Sequence, residues 1–233
     1  MLQQLGIEIL TSLALEADAT ERVDGIGGAL KELFNIFFNK GMLRNNKHVR
    51  TKAGEALAIL VLESKNNCLR ILKLGVLENL VEALEVQVLR VITSEEHKQQ
   101  EALVRLAASV LAFLSPEESC LMFKKAGITE GEVTNELVQI LKKYKHPPIK
   151  VSKIKRFSIE LAICMMRDKL ENVRVFRDLG MEKELDFVIK TTVELEIFNI
   201  FFGTVGMSWH STKIHSLVKT ALGLTAEGWN EAA

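Results

Sequence analysis

The chain has few of the residues that interrupt helices. Only three of its 233 residues are proline, and two of these are the adjacent pair Pro147 and Pro148. Proline is the residue that most strongly breaks a helix, so long stretches remain open to helical structure. No alternation of apolar and polar residues persists for more than a few positions, which disfavours strands. These two shortages predict an all-helical chain.

Cysteine is scarce as well, with three residues at Cys68, Cys120 and Cys164. An odd and scattered set is not a disulfide framework, and a reducing compartment fits it best. No Cys-x-x-Cys pair occurs, and no histidine stands near a cysteine at zinc-ligand spacing. Cys68 and Cys120 each precede a repeated glycine by seven residues, so we expect both to be small buried residues of equivalent helices.

An excess of charge of either sign is also lacking, because 30 Lys and Arg residues balance 30 Asp and Glu residues. Proteins that wrap nucleic acid need many cations to neutralise phosphates, so nucleic acid is a disfavoured partner. The single tyrosine, Tyr144, leaves few rings on which bases could stack.

Long apolar runs are absent too. The best candidate for a membrane span, 193–205, is short and contains Glu194 and Glu196. The first residues lack a basic segment and include Glu8, unlike a signal peptide. We therefore expect a soluble, cytoplasmic chain.

What the chain does contain is a segment that recurs four times. Each copy is an apolar helical stretch, a short polar break, a second apolar helix and a glycine, and the copies span 7–28, 55–76, 108–128 and 159–181. Their glycines are Gly27, Gly75, Gly127 and Gly180. These glycines are 48, 52 and 53 residues apart. Self-similarity at such a period predicts an α-solenoid, in which each unit buries its apolar face against its neighbours.

Each unit divides into three predicted helices. The first helices are Asn67–Leu74, Cys120–Ala126 and Asn172–Leu179. The second helices are Ala29–Phe38, Leu77–Leu89, Thr134–Lys143 and Glu182–Thr191. The third helices are Ile7–Leu15, Thr51–Leu62, Glu101–Leu114, Ser152–Met166 and His210–Leu222. Glycine between the first and second helix permits a positive φ and a sharp turn.

Three helices per unit at this spacing resemble the armadillo-repeat superfamily over nearly the whole chain. The resemblance implies a right-handed solenoid of about four repeats over 1–223. The residues after Gly223 have no packing pattern, so we expect a flexible tail over 224–233. The resemblance also implies a protein-binding or scaffolding role without catalysis. The units run longer than in armadillo proteins, and the excess lies between the second and third helices.

The first block is a third helix without the two helices that should precede it, so we expect the array to begin inside a repeat of a longer protein. The stretch 26–38 and the tail 210–224 resemble a group of little-characterised plant armadillo-type proteins. In that group a membrane-associated N-terminal half can precede the array.

Aligned third helices place Leu10, Leu57, Leu111 and Leu161 in one column, which we interpret as core packing. Armadillo proteins that carry nuclear import signals line this groove with repeated Trp and Asn. Here Trp209 and Trp229 lie elsewhere, so an import receptor is disfavoured. The five histidines are interpreted as solvated surface residues, and Gly25 to Gly28 as a repeat junction and not a phosphate loop. We expect no catalytic residues, no cofactor and no metal.

The pattern with most functional content is the charge of two connections between second and third helices. The candidate binding residues in 40–53 and 142–156 are Lys40, Arg44, Lys47, Arg50, Lys142, Lys143, Lys145, Lys150, Lys153, Lys155 and Arg156. In a regular solenoid both connections lie along one edge. That edge could bind an acidic protein segment, an anionic membrane surface or nucleic acid, or it could be a solvated loop with no partner.

A further internal similarity relates the apolar segment 33–38 to the segment 197–202 near the end of the array. Either the helix over 210–222 covers the later copy as a cap, or the copy is an exposed apolar patch. The expected function is thus a protein-interaction scaffold, with an anionic-surface binder as the alternative. The identity of the partner and the oligomeric state stay open.

The cysteine pattern yields a first prediction. Thiol titration under denaturing, non-reducing conditions should find three free thiols per chain, because no two cysteines are placed to pair. Titration of a single thiol would show that a disulfide has formed and would contradict the expected reducing compartment.

Overall fold

The computed structural model describes residues 2–14, 28–38, 47–61, 64–79, 94–146, 153–167, 169–192 and 212–230. Its regular structure in these ranges is all α-helix, without a strand, so the all-α prediction is confirmed there. The helices are α1 (Leu2–Ala14), α2 (Ala29–Phe38), α3 (Lys47–Val61), α4 (Lys65–Lys73), α5 (Ser94–Leu111), α6 (Pro116–Ala126), α7 (Glu130–Lys143), α8 (Ile154–Met166), α9 (Leu170–Asp178), α10 (Met181–Thr191) and α11 (Ile214–Asn230). Residues 76–79 are also helical.

The chain divides into two compact units, Met1–Phe113 with α1–α5 and Leu114–Ala233 with α6–α11. Each unit contains helices of all three predicted types. The single solenoid predicted over 1–223 stays a prediction.

Most predicted helices are present, with differences at their ends. Helix α7 begins four residues earlier than predicted because Thr129 and Glu132 form a capping box around its first turn. Their hydrogen bonds lower the pKa of the exposed Glu132 carboxyl. Helix α5 begins at Ser94, seven residues before its predicted start at Glu101, and it buries Gln99 in its first turns.

The last helix was predicted to end at Leu222, and this prediction was wrong. Helix α11 continues through Gly223 to Asn230 and buries Thr225, so part of the predicted tail 224–233 is helical. A glycine inside a helix costs only about 1 kcal/mol, which the packing of this helix outweighs. Flexibility of the tail is still a prediction.

The core of each unit lies on its third-type helices. In the first unit α3 packs against both α1 and α5, and Leu57 and Leu60 on it are fully buried. In the second unit α8 packs against α7, α9 and α11, and Leu161 on it is fully buried. The leucine column is therefore core at Leu57, Leu111 and Leu161, as predicted.

Glycines make the turn between first and second helices at three of the predicted positions. Gly75, Gly127 and Gly180 have φ values of 85°, 71° and 78°, a left-handed backbone that other residues rarely adopt. At the first junction the positive φ belongs to Gly28, at 112°, while the predicted Gly27 lies outside the described residues.

A buried asparagine ties the first helix of a repeat to the third helix before it. Asn67 Nδ2 donates to the Leu60 carbonyl at 2.9 Å, and Asn172 Nδ2 donates to the Met165 carbonyl at 2.8 Å. Both asparagines precede the repeat glycine by eight residues, and both are about 95% buried or more. The last carbonyls of a helix lack partners within it, so these amides satisfy groups that would otherwise be unpaired. The matching residue in α6 is the buried Ser119.

The last helix shows the two-faced pattern expected of a cap. Helix α11 packs against α8 and α10 and buries Ile214, Val218 and Ala221. Its opposite side exposes Ser216 and Lys219. The apolar copy over 197–202 that it was predicted to cover lies outside the described residues.

Close packing between α2 and α3 yields a second prediction. A Cβ added at Gly54 in α3 would lie 2.5 Å from a ring carbon of the buried Phe37, so Gly54→Ala should destabilise the fold by about 1–3 kcal/mol through overpacking. Chemical denaturation measures the change. In the control, Gly223→Ala, the added Cβ meets nothing within 4 Å, and removal of a helical glycine should stabilise slightly. Equal stability of Gly54→Ala and wild type would mean that α2 and α3 do not pack this closely.

Candidate interaction surfaces

The described basic residues of the first connection are engaged in contacts within their own unit. Lys47 Nζ lies 3.2 Å from Glu96 Oε1 on α5, and Arg50 Nε donates to the Phe37 carbonyl at 3.1 Å. Partial burial lowers the pKa of Arg50, against the attraction of Glu96. Lys40 and Arg44 lie outside the described residues. The basic connection at 40–53 thus pairs through Lys47 with an acid from another helix.

The second connection belongs to the other unit and begins with basic residues at the end of α7. Lys142 and Lys143 are exposed, and Lys142 Nζ donates to the Leu179 carbonyl at 3.3 Å. Partial burial lowers the pKa of Lys143, whose Nζ lies 5.6 Å from the centre of the Tyr144 ring. Cations are favoured at the C-terminal end of a helix, where unpaired carbonyls concentrate.

Two predicted edge residues are not on the surface, and this part of the prediction was wrong. Lys155 and Arg156 lie inside α8 with 5% and 3% of their surface exposed. Arg156 donates to the Thr212 carbonyl at 2.7 Å and lies 3.4 Å from Glu160. The sequence continues its basic run into α8, but the helix turns these residues toward the core. Lys153 precedes α8 and is half-buried, and Lys150 lies outside the described residues.

A buried carboxylate beneath this connection explains one of its lysines. Glu184 on α10 is 5% exposed, and Lys145 Nζ lies 3.4 Å from its Oε2. The same ammonium is 5.2 Å from the centre of the Phe187 ring, which His146 meets edge-on. A buried charge needs a partner, so Lys145 joins the end of α7 to α10.

A concave surface that described residues form lies in the second unit, between α6, α7 and α9. It is a cleft of about 710 Å³. Its apolar lining includes the buried Phe123, the half-buried Val175 and Leu170, whose surface is 42% exposed. Lys124 and Glu171 line it from α6 and α9. Ligand sites combine such an apolar floor with a few polar groups.

A polar network fixes one wall of this cleft. Glu130, at the start of α7, pairs with Lys169 through Oε1 and accepts a hydrogen bond from Asn172 Nδ2 through Oε2. Asn172 is the same residue that holds the Met165 carbonyl. The beginnings of α7 and α9 are therefore held together, and the wall is preorganised.

The two cysteines at matching positions have different surroundings, contrary to the prediction. Cys68 is fully buried between α3 and α5, its Sγ lies 3.2 Å from the Val61 carbonyl, and burial raises its pKa to about 12. Cys120 is exposed and lines the cleft. The difference arises because helices flank α4 on two sides, whereas α6 borders an open cleft. Cys164 is half-buried, and burial raises its pKa to about 11.

The histidines are less uniformly solvated than predicted. His48 and His146 are exposed, but His97 is half-buried. His215 is half-buried as well, and its Nε2 donates to the Thr192 carbonyl at 2.8 Å. His210 lies outside the described residues.

Within the described ranges, no three His, Cys, Asp or Glu side chains are close enough to hold a metal ion together. None of the described helices combines the length and apolar character needed to cross a bilayer. The chain matches no protein-family model, and no curated protein is significantly similar to it.

Sequence reasoning missed the cleft because its residues come from the consecutive helices α6 and α7 and from α9, which lies further along the chain. Leu170, at the start of α9, lines the cleft and is 42% exposed, which the apolar pattern of the sequence did not predict. The capping residue Thr129 and the asparagine Asn172 would have marked the edges of the cleft.

The Lys145–Glu184 pair yields a third prediction. Lys145→Met keeps an apolar stem over Phe187 but leaves the Glu184 carboxylate without this partner. We expect a loss of about 1–2 kcal/mol, less than for a fully buried pair because Lys145 is partly solvated. Lys183→Met, at an exposed position of the same helix α10, should change the free energy of unfolding by less than about 0.5 kcal/mol. Equal effects of the two variants in denaturant titrations would contradict a structural role for the pair.

Proposed function

We propose that this chain is a non-enzymatic protein-interaction module, built as a right-handed solenoid of about four armadillo-like repeats. The cleft between α6, α7 and α9 carries the proposal, as the place where a partner's side chains would be bound. The three cysteines, which form no disulfide, support a reducing compartment such as the cytoplasm.

The repeat architecture is supported by equivalent contacts in successive repeats. Third-type helices pack on third-type helices, as α3 does on α1 and α5 and as α8 does on α11. The same left-handed glycine follows α4, α6 and α9, and the same asparagine bond recurs in α4 and α9. A solenoid of matching units is the simplest arrangement with these repeated contacts.

The cleft has the features of a recognition site for a protein segment. Its volume accommodates a few side chains, and its floor offers Phe123 and Val175 to an apolar anchor. Lys124 and Glu171 line the cleft from α6 and α9, where they can pair with charges on the partner. The Glu130 network keeps the wall in place before binding, which reduces the entropy lost on association.

The alternative, binding of an anionic membrane surface or nucleic acid, depends on the basic connections. This alternative is weakened by the burial of Lys155 and Arg156. It is also weakened because Lys47 pairs with Glu96 and Lys145 pairs with Glu184. Lys142 and Lys143 are exposed and are the residues on which it now depends.

Proximity labelling and affinity capture with matched variants test the proposal, which is the fourth prediction. Cys120→Glu and Leu170→Glu together place carboxylates in the cleft at exposed positions, and they should remove at least one partner retained by wild type. Arg174→Glu, exposed on the same helix α9 but not in the cleft, should retain that partner.

The double variant Lys142→Glu and Lys143→Glu distinguishes binding of an anionic surface from binding of a protein partner in the cleft. If this variant loses partners or vesicle binding in a salt-dependent way while the cleft variant retains everything, the proposed function fails and the alternative is favoured.

A further inference from the structure

The charged residues that line the cleft between α6, α7 and α9 are of two kinds. Glu130 and Lys169 pair with each other, and Asn172 also donates to Glu130, so these charges are satisfied within the protein. Lys124 and Glu171 line the cleft as well, but both are exposed, and neither forms an ion pair or a side-chain hydrogen bond within the described residues. The cleft therefore offers a partner one free ammonium and one free carboxylate.

Each free charge lies on the same side of its helix as an uncharged residue that also lines the cleft. On α6, Cys120 precedes Lys124 by four residues, and on α9, Glu171 precedes Val175 by four residues. Residues four apart are neighbours on the surface of a helix. The buried Phe123, next to Lys124 in the sequence, adds an aromatic ring to the same lining. An apolar side chain bound in this cleft therefore has a cation and a carboxylate beside it.

These two charges select the signs of the charges on a partner. An acidic segment is attracted by Lys124 but repelled by Glu171, and a basic segment meets the reverse arrangement. A phosphate backbone or an anionic membrane surface carries charge of one sign and has the same disadvantage. A partner with charges of both signs complements both residues, and a misplaced charge is penalised, which gives specificity.

We propose that the cleft binds a short segment of a protein partner that carries an apolar anchor with one acidic and one basic residue beside it. The acidic residue pairs with Lys124 on α6, the basic residue pairs with Glu171 on α9, and the anchor contacts Phe123 and Val175. Because the two charges belong to different helices, the segment binds in one direction only. This inference rests on the proposed function and adds to it the signs and positions of the partner's charges.

Cys120 provides a direct measure of whether the cleft is occupied, because it is exposed and lines the cleft. Cys68 is fully buried and Cys164 is half-buried, and burial raises the pKa of these two thiols to about 12 and about 11. Since alkylating reagents attack the thiolate, Cys120 should react first at neutral pH. A segment bound in the cleft should slow this reaction.

Selection of random linear peptides displayed on phage, with the whole chain as bait, tests this fifth prediction. Peptides that slow the alkylation of Cys120 by iodoacetamide should carry an apolar residue with an acidic and a basic residue nearby. Lys124→Glu combined with Glu171→Lys should weaken their binding by on the order of tenfold or more, because both pairs become contacts between like charges. Exchange of the acidic and the basic residue within the peptide should restore binding to this variant.

Lys125→Glu combined with Asp178→Lys is the matched control, because it exchanges exposed charges on α6 and α9 outside the cleft and should leave binding unchanged. If peptides that protect Cys120 bind wild type and the cleft variant equally well, or carry charges of one sign only, the inference is wrong while the proposed function stands. If no peptide protects Cys120, the cleft does not bind protein segments, and both proposals fail.

Discussion

Helix α3 is buried on opposite sides, and that burial is the constraint on which the first unit depends. A single amphipathic helix needs one neighbour, but α3 needs several, and α1, α2 and α5 supply them. Leu57 and Leu60 are completely buried as a result, and helices from neighbouring repeats contribute to that burial. Stability of such a unit is shared between repeats, because each core is completed by the next one.

Two small devices make this stacking possible. A left-handed glycine turns the chain between the first and second helices without a Cβ clash, as at Gly75 and Gly127. A buried asparagine donates to a carbonyl near the end of the preceding third-type helix, as Asn67 does to Leu60. The first device fixes the path of the chain, and the second satisfies backbone groups that packing has removed from water. Where the asparagine is replaced by Ser119, the neighbouring Cys120 is exposed at a cleft.

The helices could be predicted from the sequence because their signals are local. Apolar spacing predicted α2 at its observed ends, and glycine spacing identified three of the turns. The site could not be predicted in the same way because charge partners come from distant segments. Lys47 finds Glu96 and Lys145 finds Glu184, so a basic run in the sequence is not a basic surface in the fold. Arg156 also belongs to a basic run in the sequence, but its position on α8 turns it toward the core, where it is buried.

Hydrogen exchange tests most directly whether each repeat is stabilised by its neighbours. Leu111→Ala opens a cavity in α5 and should cost about 2–5 kcal/mol. Amide protection should then fall in α3 as well as in α5, because the two helices share a core. Loss of protection confined to α5, with α3 as protected as in wild type, would contradict the account.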